Sequence, residues 1–225
     1  MMCAVRRGFT LVELLVTVAV IGFLMAMLMP ALASVQRTAQ ATQCLSGLRQ
    51  FGIALVVYAD DYDGQFPLST HSPEIGLASQ GAWFRSMEPY GVVRELRHCP
   101  EDPNAGLPSR WLSYATNDYF EVTVEGTSSG DNRRRWGRLT DVRFAEATAY
   151  AGEIADGEGS IDHFHASFVP WTTPADVEAE MAVRRHAGDR MNVIFLDGHA
   201  EGLAWTRIES VFGADRDFMH PGKPF

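Results

Sequence analysis

From Phe9 to Met29 the chain is apolar apart from Thr10, Glu13 and Thr17. A helix over those positions spans roughly 31 Å, enough to cross the hydrocarbon core of a bilayer. From Ser34 to Tyr62 the pattern changes. Cys44, Leu48, Phe51, Leu55, Tyr58 and Tyr62 recur in steps of four and three, with Leu45, Gly52, Val56 and Ala59 beside them. That periodicity predicts an amphipathic helix. Arg37, Gln40, Gln43, Arg49 and Gln50 take much of its polar side. The cluster Asp60-Asp61-Tyr62-Asp63-Gly64, followed by Pro67, marks its end. Unbroken from Phe9, such a helix would be about 80 Å long.

Beyond Pro67 the pattern shortens. Trp83 to Tyr90 reads as a short helix or turn, and Arg97 to Pro108 as a proline-rich loop. Trp111–Val124 and Ala147–Ile154 read as strands separated by the Gly/Ser/Arg stretch 126–135, and Val177–Arg185 as a short helix. Two strand-like runs in Met191–Trp205 flank Asp197-Gly198, a dipeptide suited to a tight turn with positive φ. The prediction is an α+β architecture in which a small antiparallel sheet packs on the amphipathic helix. Its segments are a leader over 1–8, a transmembrane helix over 9–33, an amphipathic helix over 34–64 and a head over 65–225.

Charge sharpens that division. The formal net charge is −9, which gives no electrostatic footprint for nucleic acid. Between Phe9 and Val35 the only charged residue is Glu13, so an acidic soluble head follows an uncharged segment. Arg6 and Arg7 would hold the N-terminus on the cytoplasmic side. A cleavable secretory signal has an apolar region about half as long. A plain signal anchor fits the length but leaves Glu13 unexplained, since an acid at the centre of a membrane helix costs about 2.5–3.5 kcal/mol.

Arg7-Gly8-Phe9-Thr10-Leu11-Val12-Glu13 resembles the processing site of type IV prepilins and type II secretion pseudopilins. The resemblance implies cleavage after Gly8 by a prepilin peptidase, N-methylation of Phe9, and pairing of Glu13 with the Phe9 amine of a neighbouring subunit. It implies a helix that kinks or melts at Pro30. The implied partners are other pilin or pseudopilin subunits, an inner-membrane assembly platform and the membrane itself. The head would be periplasmic, the chain would sit in the inner membrane until assembled into a filament, and no cofactor or enzymatic activity is implied. The stretch from Cys44 through Tyr58-Ala59-Asp60-Asp61-Tyr62-Asp63-Gly64-Gln65-Phe66-Pro67 is similar to pseudopilin-like proteins common in planctomycetes. So is the C-terminal signature of His186, ten intervening residues and Asp197-Gly198, one residue longer than that group's spacing.

Removal of the leader would take Cys3 with it and leave two thiols, Cys44 and Cys99. In an oxidising compartment these are expected to form a disulfide across about 55 residues. The alternative is that both are small buried apolar residues. Asp60, Asp61 and Asp63 offer oxygens to Ca²⁺ but lack the EF-hand spacing, and read first as a solvated helix terminus. Asp162-His163-Phe164-His165 places two imidazoles on one side of a strand without a third ligand. Glu153, Asp156, His186, Asp197 and His199 would converge at strand ends as a hydrogen-bonded cluster, with a metal or hydrolytic centre the alternative. No nucleophile elbow, phosphate-binding glycine loop or Cys/His zinc spacing is present. A filament subunit is therefore the leading reading. A membrane-anchored periplasmic hydrolase or ligand-binding protein stands second.

Overall fold

The computed structural model describes residues 8–67, 82–120, 136–157, 161–166, 171–211 and 217–223. Cys3, Arg6 and Arg7, the 126–135 stretch and positions 121–124 of the expected first strand lie outside them. The chain divides into two compact units, residues 1–39 and 40–225. A single helix, α1 (Leu11–Asp61), contributes to both.

In the first unit every described residue is exposed, including Leu14, Val18, Ile21, Phe23 and Met25. A surface this largely apolar, broken before Ser34 mainly by Thr10, Glu13 and Thr17, wants lipid or other helices rather than water. The helix runs unbroken through Pro30, where the resemblance implied a kink or melting. Proline removes one i→i−4 bond, and the Leu- and Met-rich turns on either side are strong helix formers that carry the helix across.

In the second unit, α1 buries Cys44, Gly47, Leu48, Phe51, Gly52, Ala54, Leu55, Tyr58 and Ala59. The stripe thus drifts from the expected one: Tyr62 and Val56 are exposed, while Gly47 and Ala54 face inward. Phe51 is the centre of the core, with ring centroids 5.6 Å from Trp83, 5.4 Å from Phe84 and 5.8 Å from Tyr114. Trp83 and Phe84 belong to a short helix, α2 (Ala82–Met87).

Five strands follow: β1 (Tyr114–Asn117), β2 (Ala149–Glu153), β3 (His163–Phe164), β4 (Arg190–Phe195) and β5 (Ala200–Ala204). Their order across the sheet is β3-β1-β2-β4-β5. The pairs β1–β2, β2–β4 and β4–β5 are antiparallel. However, β3 lies parallel to β1, with Thr116 opposite His163, so the sheet is mixed rather than purely antiparallel. The chain between β2 and β3 crosses to the far side of β1, and a strand arriving there in β1's direction must pair in parallel.

Two further helices differ from the pattern-based reading. α3 spans Pro174–Glu180, not Val177–Arg185. Thr173 and Asp176 form a capping box at its start, with Pro174 at the first helical position. Met181 leaves the helix to bridge Ile154 beside β2, which ends it early. α4 (Trp205–Val211) follows β5 directly.

The β4–β5 hairpin turns through Leu196–His199, longer than the two-residue turn the dipeptide suggested. Only Gly198 of that pair is left-handed, at φ 89°. Gly198 also meets α1. A Cβ on Gly52 would lie 2.0 Å from the Gly198 carbonyl oxygen, and one on Gly198 would lie 2.8 Å from a Val56 methyl. Helix and hairpin therefore touch backbone to backbone, which only paired glycines allow.

Candidate functional site

Among the described residues, two places stand out for their chemistry. The first is the start of α1. Thr10 is the N-cap, and its hydroxyl accepts from the Glu13 backbone N–H at 3.2 Å. The Glu13 carboxylate accepts in return from the Thr10 backbone N–H and hydroxyl, each at 2.8 Å. This is a reciprocal capping box, and Thr-x-x-Glu at the head of an apolar run is its sequence signature. Reading Glu13 only as an intramembrane acid misses this local role. Gly8 has open space where a side chain would project. The glycine, the phenylalanine and the glutamate thus stand together at the exposed beginning of the helix, with the carboxylate turned back toward the chain's start.

The second place is a buried polar cluster in the head. Cys44 on α1 and Cys99 in the proline-rich loop are joined as a disulfide, with sulfurs 2.06 Å and Cα atoms 5.1 Å apart. Both are buried. His186 stands beside them, its Nε2 3.9 Å from the Cys99 sulfur. The same nitrogen lies 2.8 Å from Glu153 Oε1, while Nδ1 lies 2.7 Å from Glu101 Oε2. The Asn192 backbone N–H donates to Glu153 Oε2 at 2.8 Å. Burial works against a charged imidazole here, but the hydrogen bonds and charges of Glu153 and Glu101 outweigh it and hold the His186 pKa above its ordinary value.

Local structure explains this convergence. Glu153 ends β2, next to β4. His186 is held by a tight turn in which it exchanges backbone bonds with Arg190, made possible by left-handed Gly188 and Asp189. A second charged layer adjoins the first. Asp102 accepts from Ser113 Oγ at 2.6 Å and lies 3.4 Å from Arg110 Nε, and Arg110 donates to the Ala155 carbonyl at 2.6 Å.

Of the five residues expected to converge, only Glu153 and His186 meet. Asp156 pairs with Arg185 at 2.6 Å. Asp197 and His199 form their own exposed pair at the hairpin, 2.5 Å apart, with the imidazole stacked on Phe195. His186 and Asp197-Gly198, expected to act as one signature, are therefore apart: His186 lies in the buried cluster and Asp197-Gly198 in the hairpin. Glu101 and Asp102 escaped the sequence reading, although Cys99-Pro100-Glu101-Asp102 puts two carboxylates beside a cysteine.

The remaining sites stay separate. Asp61 accepts from the Tyr90 hydroxyl at 2.9 Å and Asp63 lies 3.4 Å from Arg138, so these carboxylates serve different neighbours. His163 pairs with Asp162 at 2.9 Å and His165 with Glu180 at 3.3 Å, and the two rings lie 4.8 Å apart on one side.

Replacing Cys44 or Cys99 by serine is expected to lower head stability by about 2–4 kcal/mol, the effect of opening a loop of this length. Denaturant midpoints with and without reductant check it. The native protein, denatured without reductant, should expose no labelled thiol after leader removal.

Against known proteins, the prokaryotic N-terminal methylation motif matches residues 3–29. No curated protein and no solved structure matches the chain. Among the described residues, α1 is the one helix long and apolar enough to cross a membrane. Motif and helix together fit a membrane-anchored, single-pass precursor of the type IV pilin or pseudopilin kind, carrying a prepilin-type signal.

Proposed function

We propose that this chain is a structural, non-catalytic subunit of a type IV pilus or type II secretion-like filament, cleaved after Gly8 and N-methylated at Phe9. The observation that carries this reading is the methylation motif set on an exposed apolar helix whose only charge before Arg37 is Glu13. An exposed apolar stretch needs a nonaqueous neighbour throughout its life: lipid before assembly, the helices of other subunits after it. The orientation is N-terminus cytoplasmic and head periplasmic, in the inner membrane, as Arg6 and Arg7 favour. The partners are the prepilin peptidase, sister subunits and the assembly platform.

Mass spectrometry of membrane-extracted protein from a host with the peptidase is expected to show the chain starting at Phe9 with one added methyl group. An intact leader there would refute the proposal. Gly8→Ala should be processed better than Gly8→Leu, because the peptidase must accommodate the residue before the cut.

Glu13 gives a second test. Glu13→Ala removes an intramembrane acid, so insertion should be unchanged or improved. It also removes the capping-box partner of Thr10, which loosens the first turn of the helix. Filament incorporation is expected to fall sharply, since the Phe9 amine of the neighbouring subunit loses its counter-charge. Normal incorporation in a shearing or cross-linking assay would remove Glu13 from assembly.

A further inference from the structure

The buried cluster carries more than a structural staple. Cys44, Cys99, Glu153 and His186 each present one ligand-type atom, and the four atoms lie within 4.8 Å of one another. We propose that, when the disulfide is reduced, these four side chains bind one divalent ion of the zinc class, so that ion and disulfide are alternative occupants of one site.

Three features argue for a ligand set rather than chance proximity. The donors are two sulfurs, one imidazole nitrogen and one carboxylate oxygen, a combination that suits zinc and not the oxygen-seeking Ca²⁺ or Mg²⁺. All four are buried, at 2%, 0%, 0% and 5% exposure, so water does not compete for the ion. Finally, the surroundings already aim the donors. Glu101 holds Nδ1 of His186, as in a carboxylate–histidine–metal arrangement, while Nε2 lies 2.8 Å from both Glu153 Oε1 and the Asn192 amide nitrogen and 3.9 Å from the Cys99 sulfur, so an ion would take Nε2 from those two contacts. The Asn192 N–H occupies Oε2 of Glu153, so that Oε1, now paired with His186 Nε2, is the oxygen an ion between them would take. Glu101 Oε1 is buried and unpartnered, as expected of a carboxylate placed for one purpose.

The fit requires small movements. Zn–S bonds of about 2.3 Å and Zn–N or Zn–O bonds of about 2.0–2.1 Å put tetrahedral ligands roughly 3.3–3.8 Å apart. The sulfurs must therefore separate from their bonded position, and the widest pair must close by about 1 Å. Ion and disulfide cannot coexist.

The chemistry balances. A dithiol reductant gives two electrons and two protons to the Cys44–Cys99 bond, becoming a disulfide and leaving two thiols. Ion binding then releases both thiol protons, and the Nε2 proton of His186 if it is present. The resulting site holds two thiolates, one carboxylate and a neutral imidazole around the dication.

The test uses full-length protein in detergent, reduced without oxygen, stripped of metal and titrated with Co²⁺. The expected result is one cobalt per chain, with the thiolate-to-cobalt charge-transfer band and the intense visible bands of tetrahedral coordination, displaced by Zn²⁺. The oxidised protein should give neither band. Glu101→Gln, which keeps the ligands but not their support, should weaken cobalt binding by about 10–100-fold. Glu153→Gln and His186→Asn should weaken it further and alter the visible bands. Circular dichroism identifies any variant that fails to fold, and X-ray absorption on the unmutated reduced chain counts its sulfurs directly. A reduced chain that binds no cobalt, or binds it without two sulfurs in the shell, overturns the proposal. The outcome is independent of leader cleavage and filament assembly.

Discussion

Gly52→Ala is expected to destabilise the head by about 3 kcal/mol or more, although alanine is the better helix former by about 1 kcal/mol. The added methyl would lie 2.0 Å from the Gly198 carbonyl oxygen and 2.8 Å from its carbon. Those atoms are backbone, in a hairpin fixed by β4–β5 pairing, and cannot rotate away. Either the hairpin lifts from α1, exposing the apolar surface between them, or the helix shifts and Phe51 loses its place among Trp83, Phe84 and Tyr114. Ile53, one position along and 63% exposed, is the control: Ile53→Ala should change head stability by less than about 0.5 kcal/mol. Chemical denaturation of the two variants compares them directly. Equal stability for Gly52→Ala and the parent chain would mean that the glycine contact does not exist.

His186→Leu should cost about 3–5 kcal/mol, because it leaves the buried Glu153 and the half-buried Glu101 without their common partner. The loss belongs to the carboxylates as much as to the imidazole. Adding Glu153→Gln to His186→Leu should therefore return part of it, by removing one stranded charge. A double-mutant cycle on denaturation midpoints reads the coupling, expected at about 1–3 kcal/mol. Strict additivity would place His186 outside the charge cluster and make its burial a matter of shape.

The long helix, its apolar first half and the β4–β5 hairpin were legible because each is a local pattern: an uncharged run, a 3.6-residue period, and two apolar runs around Asp-Gly. The membrane-type signal was legible for the same reason, with Gly8, Phe9 and Glu13 lying within six positions. What local pattern cannot specify is partnership. The parallel seating of β3 against β1 depends on a crossover, and no feature of His163-Phe164 encodes it. The early end of α3 is set by Met181 bridging Ile154, a tertiary bond that overrides helix propensity. Sequence spacing also gave no Cys/His metal pattern, whereas the fold gathers Cys44, Cys99, Glu153 and His186 from the helix, a loop, a strand end and a turn. Each donor looks ordinary in its own neighbourhood. The Thr10–Glu13 capping box, by contrast, was fully written in the chain and hidden by the more conspicuous reading of Glu13.

The contact between Gly52 and Gly198 joins the first core element of the head to its last strand pair, so its closure entropy falls due late in folding. During synthesis the buried face of α1 emerges long before the hairpin that covers it. A chain released too soon would hold Leu48, Phe51 and Leu55 open to water and to one another. Closure of this long-range contact is therefore expected to come late, and the interval before it is when the uncovered stripe is expected to be most prone to aggregate or to need a chaperone.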